Sequence, residues 1–179
     1  MSVGRVRHRV SQFFHTLIGP FRPVDAVFVR RHLTRGDQDD GLLALFFNMP
    51  RAEQHHGVDI GRALERQGID DGDLLGAALL HDVGKTIAPL RLWDRVVVVL
   101  VEAVAPRAAA SWAVDGARDH VPTGLRRGFV VRRHHPAWGA DLAAHAGASE
   151  RTVNWIRRHH DPADPLDPLL LALQEADEA

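Results

Sequence analysis

The chain has no cysteine and no tyrosine in its 179 residues. Without cysteine, disulfides and thiolate metal sites are excluded, so any metal must be held by histidine and carboxylate. Lysine is almost missing: Lys85 is the only one among 22 Lys and Arg residues. That bias suits a GC-rich coding sequence, and it makes the place of the one lysine informative. Long apolar runs are missing as well. The longest, Val96–Val101 followed by Ala103–Ala105, is interrupted by Glu102 and stopped by Pro106-Arg107, too short to cross a bilayer. The opening "MSVGRVRHRVSQFFHTLIGPF" lacks the apolar core of a signal peptide, so a cytoplasmic location is expected. A net charge of −1 marks no global affinity for DNA or RNA. Strand signals are sparse. The β-branched run "RVVVVLVEAV" has no alternation and no second run to pair with, and reads as a buried helix opened near Asp94.

What is present is ordinary in bulk: 45% apolar and 25% charged residues, enough for one soluble domain with a core. Ala, Leu and Arg dominate, and Pro and Gly punctuate at helical spacing. The pattern predicts helices near 5–18, 24–34, 39–48, 50–67, 73–83, 91–104, 107–118, 124–133, 137–146, 149–160 and 166–178. The expected fold is all-α, a single-domain helical bundle. Residues 1–35, with seven arginines against Asp25, read as a basic helical segment packed on a main domain of residues 36–179. Phe13, Phe14, Leu17 and Ile18 give that segment an apolar patch, a candidate peripheral contact for membrane or protein.

Twelve histidines are many for this length, and several fall on apolar faces. In "PRAEQHHGVDIGRALERQ", a 100° step places Met49, Ala52, His56, Ile60 and Ala63 on one stripe, with His55 off it. A histidine in such a stripe needs a partner: a backbone carbonyl or a ligand. The segment from Asp73 is apolar nearly all round and ends in "AALLHDVGK", where His81 and Asp82 continue a buried helix. A buried ionised aspartate requires a cation or strong hydrogen bonds. In the last helix Leu166, Leu169, Leu170, Leu173 and Asp177 share a stripe, while Glu175 and Glu178 lie off it. His135 precedes Pro136, which suits the first turn of a helix. "SERTVNWIRRHHD" opens at the N-cap Ser149 and ends in His159-His160, between which periodicity does not choose.

Together the elements H…HD…D, here His56, His81-Asp82 and Asp177, resemble the HD-domain superfamily of metal-dependent phosphohydrolases. "HHPAWGADL" followed by "IRRHHD" resembles the HPxxG and IxxHH elements of members that hold two or more metals. The resemblance implies an HD-type bundle in which His56, His81, Asp82 and Asp177 hold one ion. Asp82, His135 and His159 hold another, with His160 as an extra candidate. It implies one or two divalent transition ions (Fe, Mn, Co, Ni or Zn), which His/Asp ligation suits. The GYP motif of the cyclic-dinucleotide branch is absent, so that substrate is unsupported.

The activity implied is hydrolysis of a nucleotide or other small phosphoester by a metal-activated water centred on Asp82. Lys85 would stabilise charge on the phosphate. Arg132 and Arg133 are candidate phosphate clamps, and Glu53, one turn before His56, would orient it or join the second ion. The alternatives are a di-iron HD-type oxygenase and a non-catalytic HD signalling or binding domain.

Overall fold

The computed structural model describes residues 23–34, 40–113 and 120–179. The predicted helix 5–18, most of the basic segment and the end of the predicted helix 107–118 lie outside the described residues. Nine α-helices and no β-strand occur among those described. In chain order they are α1 (Ala26–Leu33), α2 (Gly41–Asn48), α3 (Arg51–Arg66), α4 (Gly72–Leu80), α5 (Leu92–Val104), α6 (Pro106–Trp112), α7 (Arg126–His145), α8 (Glu150–Arg158) and α9 (Pro168–Glu178). A short 3-10 segment, Val83–Ile87, follows α4. The all-α bundle expected from the pattern is the architecture found.

Local chemistry sets the helix starts. Asp25, Asp71, Ser149 and Asp167 each accept a backbone N–H of the first turn of α1, α4, α8 and α9. The corner between α2 and α3 is tied by Gln54, whose amide donates to the carbonyls of Met49 (2.7 Å) and Phe47 (3.1 Å).

Helix α4 is the centre. Leu74 through Leu80 are all buried, and α1, α2, α3, α8 and α9 pack around them. The main core joins Phe28, Val29 and Leu33 of α1 to Phe46, Leu64, Ile156, Leu170 and Leu173. Two smaller clusters lie beside it: Ala88, Val130, Val131 and Trp138, and Val98, Ala109, Ala113 and Phe129.

Four expectations are corrected. First, α4 ends at Leu80, so His81 and Asp82 stand on the turn after the helix. Gly84 explains the turn, because it presses its backbone against α7. A Cβ there would lie 2.0 Å from the His135 oxygen and 2.7 Å from the Gly139 nitrogen. Second, α7 is one helix through Pro136, not two helices meeting near it. Third, α5 is a helix but not a buried one. Among its described side chains only Val98 is buried, while Trp93 and Val104 are 75% and 83% exposed, since a run of valines has no single apolar face. Fourth, Leu166 precedes α9 and is exposed, so the stripe there is Leu169, Leu170, Leu173 and Asp177.

Candidate metal centre

Five helix ends or faces converge at one place. His56 comes from α3, His81 and Asp82 from the turn after α4, His135 from the middle of α7, His159 and His160 from the end of α8, and Asp177 from the last turn of α9. His56 Nε2 lies 2.7 Å from Asp177 Oδ1, and His81 Nε2 lies 3.6 Å from the same oxygen. Asp82 stands between two groups of histidines. Its Oδ2 is 3.3 Å from His81 Nε2, and its Oδ1 is 3.2 Å from His135 Nε2. The His159 ring is 5.1 Å from that of His81 and 5.2 Å from that of His135, and the His160 ring is 4.9 Å from His135.

The orientation of three rings is decided by backbone. His81 Nδ1 donates to Ala78 O (2.8 Å), His159 Nδ1 to Ile156 O (2.7 Å), and His135 Nδ1 to both Val131 O and Arg132 O (3.0 Å each). A carbonyl only accepts, so in each case Nδ1 carries a proton and Nε2 is the atom that faces inward. Those same three Nε2 atoms are buried and make no hydrogen bond. Buried polar atoms are rarely left so. Three Nε2 atoms facing a carboxylate call for a cation among them, a proton or a metal ion.

The electrostatics agree. Burial opposes charge on His81, but the carboxylates of Asp82 and Asp177 outweigh it and push its pKa up to about 9. Burial likewise pushes Asp82 upward, yet Lys85, His81 and His135 hold it well below the ordinary carboxylate range. Asp177 is lowered too, against burial, by its bond to His56 and the charge of His81. Burial drives His159 well below an ordinary histidine, reinforced by the charges of His81, His160 and His135. The cluster thus attracts positive charge at one end and rejects extra protons at the other.

Two triads have ligand atoms all within 4.8 Å of one another: His56, His81 and Asp82, and His135, His159 and His160. Either could hold a divalent ion, and the orphaned Nε2 atoms fit that use. The model of the HD domain family matches residues 54–179, more than two-thirds of the chain. The chain belongs to the HD-domain family. HD domains typically bind divalent metals and belong to a superfamily of metal-dependent phosphohydrolases. No curated protein and no solved structure gave a match. No helix among the described residues is long and apolar enough to cross a membrane.

The remaining predicted residues divide. Lys85 reaches the centre, its ammonium 2.5 Å from Asp82 Oδ2 and 3.4 Å from Glu53 Oε2. Glu53 is buried and pairs with Lys85. Arg132 pairs with Glu102 of α5 at 3.1 Å, and Arg133 is exposed on α7. Sequence reasoning missed Gly84 and Gly139. Their backbones meet where α7 crosses the 3-10 segment, which brings His135 to Asp82. The signal was present as the glycines of HDVGK and HPAWG, but a contact between residues 84 and 139 has no local signature.

Proposed function

We propose that this HD domain is a metal-dependent phosphohydrolase acting on a small phosphoester, a nucleotide among the candidates. The observation that carries the reading is the set of three buried, unbonded Nε2 atoms of His81, His135 and His159 around Asp82. His56, His81, Asp82 and Asp177 would hold one divalent transition ion. Asp82, His135 and His159, with His160 at the solvent edge, would hold a second. Divalent ions in such a centre supply a water nucleophile that ionises near neutral pH and a positive field for phosphoryl oxygens.

The chain's own groups do the rest. The backbone carbonyls of Ala78, Arg132 and Ile156 hold a proton on each Nδ1 and aim the three Nε2 atoms inward. Asp82 offers one oxygen to each side of the centre. Lys85 is the cation closest to it, and its side chain is only partly buried, so it serves as the phosphate contact. Arg132 and Arg133 remain weaker candidates for that contact, since Arg132 is engaged by Glu102.

The test is elemental analysis of anaerobically purified protein, followed by phosphate release across nucleotides and simple phosphoesters. Asp82→Ala is expected to lose bound metal and phosphate release together. The activity loss should exceed the roughly 100-fold typical of removing an outer-shell partner. Full metal content in that variant overturns the ligand assignment. Two irons with oxygen uptake and no phosphate release overturn the hydrolytic chemistry.

A further inference from the structure

The three inward-facing imidazoles share a device with one exception. Every α-helix leaves its last four carbonyls without an intrahelical partner. His81 follows the end of α4 and takes the free carbonyl of Ala78; His159 follows the end of α8 and takes that of Ile156. His135 is different. It lies in the middle of α7, which runs on to His145, where every carbonyl ordinarily has a partner. Yet besides Val131 O its Nδ1 donates to Arg132 O, the carbonyl that would accept the N–H of residue 136. Residue 136 is proline and has no N–H to give.

We infer that Pro136 is a positioning residue: it empties the Arg132 carbonyl inside a continuous helix so that His135 Nδ1 occupies it. That fixes the His135 tautomer and points Nε2 at Asp82, 3.2 Å away. The neighbouring His134, not followed by proline, instead uses Nε2 to reach Ala113 O across the gap to α6. Pro136 is buried in the interior of α7. A proline in a helix interior is ordinarily destabilising. Here it does locally what a helix end does for His81 and His159. The inference rests on the reading of His135 as a metal ligand only for its functional consequence; the tautomer claim stands without it.

Pro136→Ala restores an N–H that competes for Arg132 O. Three measurements on the full chain test the idea: melting temperature in chelator, long-range proton–nitrogen NMR of the histidine rings at alkaline pH, and titration with Zn²⁺ alone. In the wild type the His135 ring should carry its proton on Nδ1. In the variant the melting temperature should be equal or higher, the Nδ1–H signal of His135 should be lost or mixed with the other tautomer, and Zn²⁺ affinity should fall about 10- to 100-fold. An Nε2–H tautomer for His135 in the wild type overturns the inference, and that spectrum decides alone if the variant does not fold. So does a variant that keeps both the Nδ1–H signal and wild-type Zn²⁺ affinity, or one whose stability and affinity fall together with the tautomer unchanged. If the wild type binds no Zn²⁺ while the tautomer responds as expected, the metal reading fails and the positioning role survives.

Discussion

Leu80 and Leu100 both belong to strongly apolar helices, and the protein treats them oppositely. Leu80, at the end of α4, is fully buried; Leu100, in α5, is 59% exposed. The contrast extends to the regions around them. The bundle built on α4 buries its apolar surface on every side and gathers its buried polar groups at one centre. The arm of α5 and α6 has a small core, Val98, Ala109 and Ala113 closed by Phe129 of α7, and turns Trp93, Leu100 and Val104 outward. It meets the bundle on one side only, along α7, through Phe129 and through polar ties such as Glu102 to Arg132 and Ala113 O to His134. Apolar composition alone therefore does not mark the core. What marks it is the number of neighbours a helix meets, and α4 meets five.

Glycine substitutions test this contrast most severely. Gly84→Ala would place a Cβ 2.0 Å from backbone of α7, where no side chain can yield. The cost should exceed the roughly 1–3 kcal/mol of ordinary overpacking, and metal binding should fail with it. Gly128→Ala tests the seam where α7 meets the arm. Its Cβ would meet a Val98 methyl at 2.6 Å and the Asp94 oxygen at 2.9 Å. A loss of about 1–3 kcal/mol with unchanged metal content is expected, by denaturant unfolding and elemental analysis. Loss of metal in Gly128→Ala would show that the arm shapes the centre and would end the distinction.

Leucine truncations are next in size. Leu80→Ala should cost about 2–5 kcal/mol, as a cavity in a packed core does. Leu100→Ala should stay within about 0.5 kcal/mol, as an exposed position does. Equal losses in chemical denaturation would mean that the outer face of α5 is covered in solution.

The same contrast explains what the sequence disclosed. His56 and Asp177 were legible because each is a polar residue on an apolar helical stripe, and four of the five residues of the α9 stripe, all but Leu166, are where the periodicity put them. The HD pair was legible because it ends a long apolar run. The valine run of α5 was not, because residues apolar on all sides carry no phase, and phase is what assigns a face. Pro136 misled for a physical reason: its missing hydrogen bond is made good by the ring of His135, so the helix continues where local rules would start a new one. The crossing of Gly84 with Gly139 is a contact between distant segments, invisible to any local period. Tautomers, which decide the direction of three lone pairs, appear only once the carbonyls are placed.

The smallest expected effect is the dependence of stability on pH, and it should appear in the bundle alone. In chelator-treated protein the folded state holds the His81 proton up to about pH 9, whereas an ordinary histidine releases it near 6.5. A raised folded pKa gives stability that is complete below 6.5 and is lost as pH climbs to about 9. His159 acts in the other direction. Its pKa is depressed by burial, so its contribution is present above 6.5 and fades as pH falls. Asp82 and Asp177, both held low, lose theirs at still more acid pH. The melting temperature of the metal-free protein should therefore peak near the ordinary histidine pKa and decline by a few degrees on the alkaline side. Added Zn²⁺ should remove the alkaline decline, because an ion among the Nε2 atoms replaces the proton that His81 would otherwise lose. Hydrogen exchange locates the effect: amides of α4 and α8 should gain protection with Zn²⁺, while those of α5 should not. An alkaline decline that persists with bound Zn²⁺ would mean that His81 is not a ligand. Equal protection of α5 would mean that arm and bundle unfold as one unit.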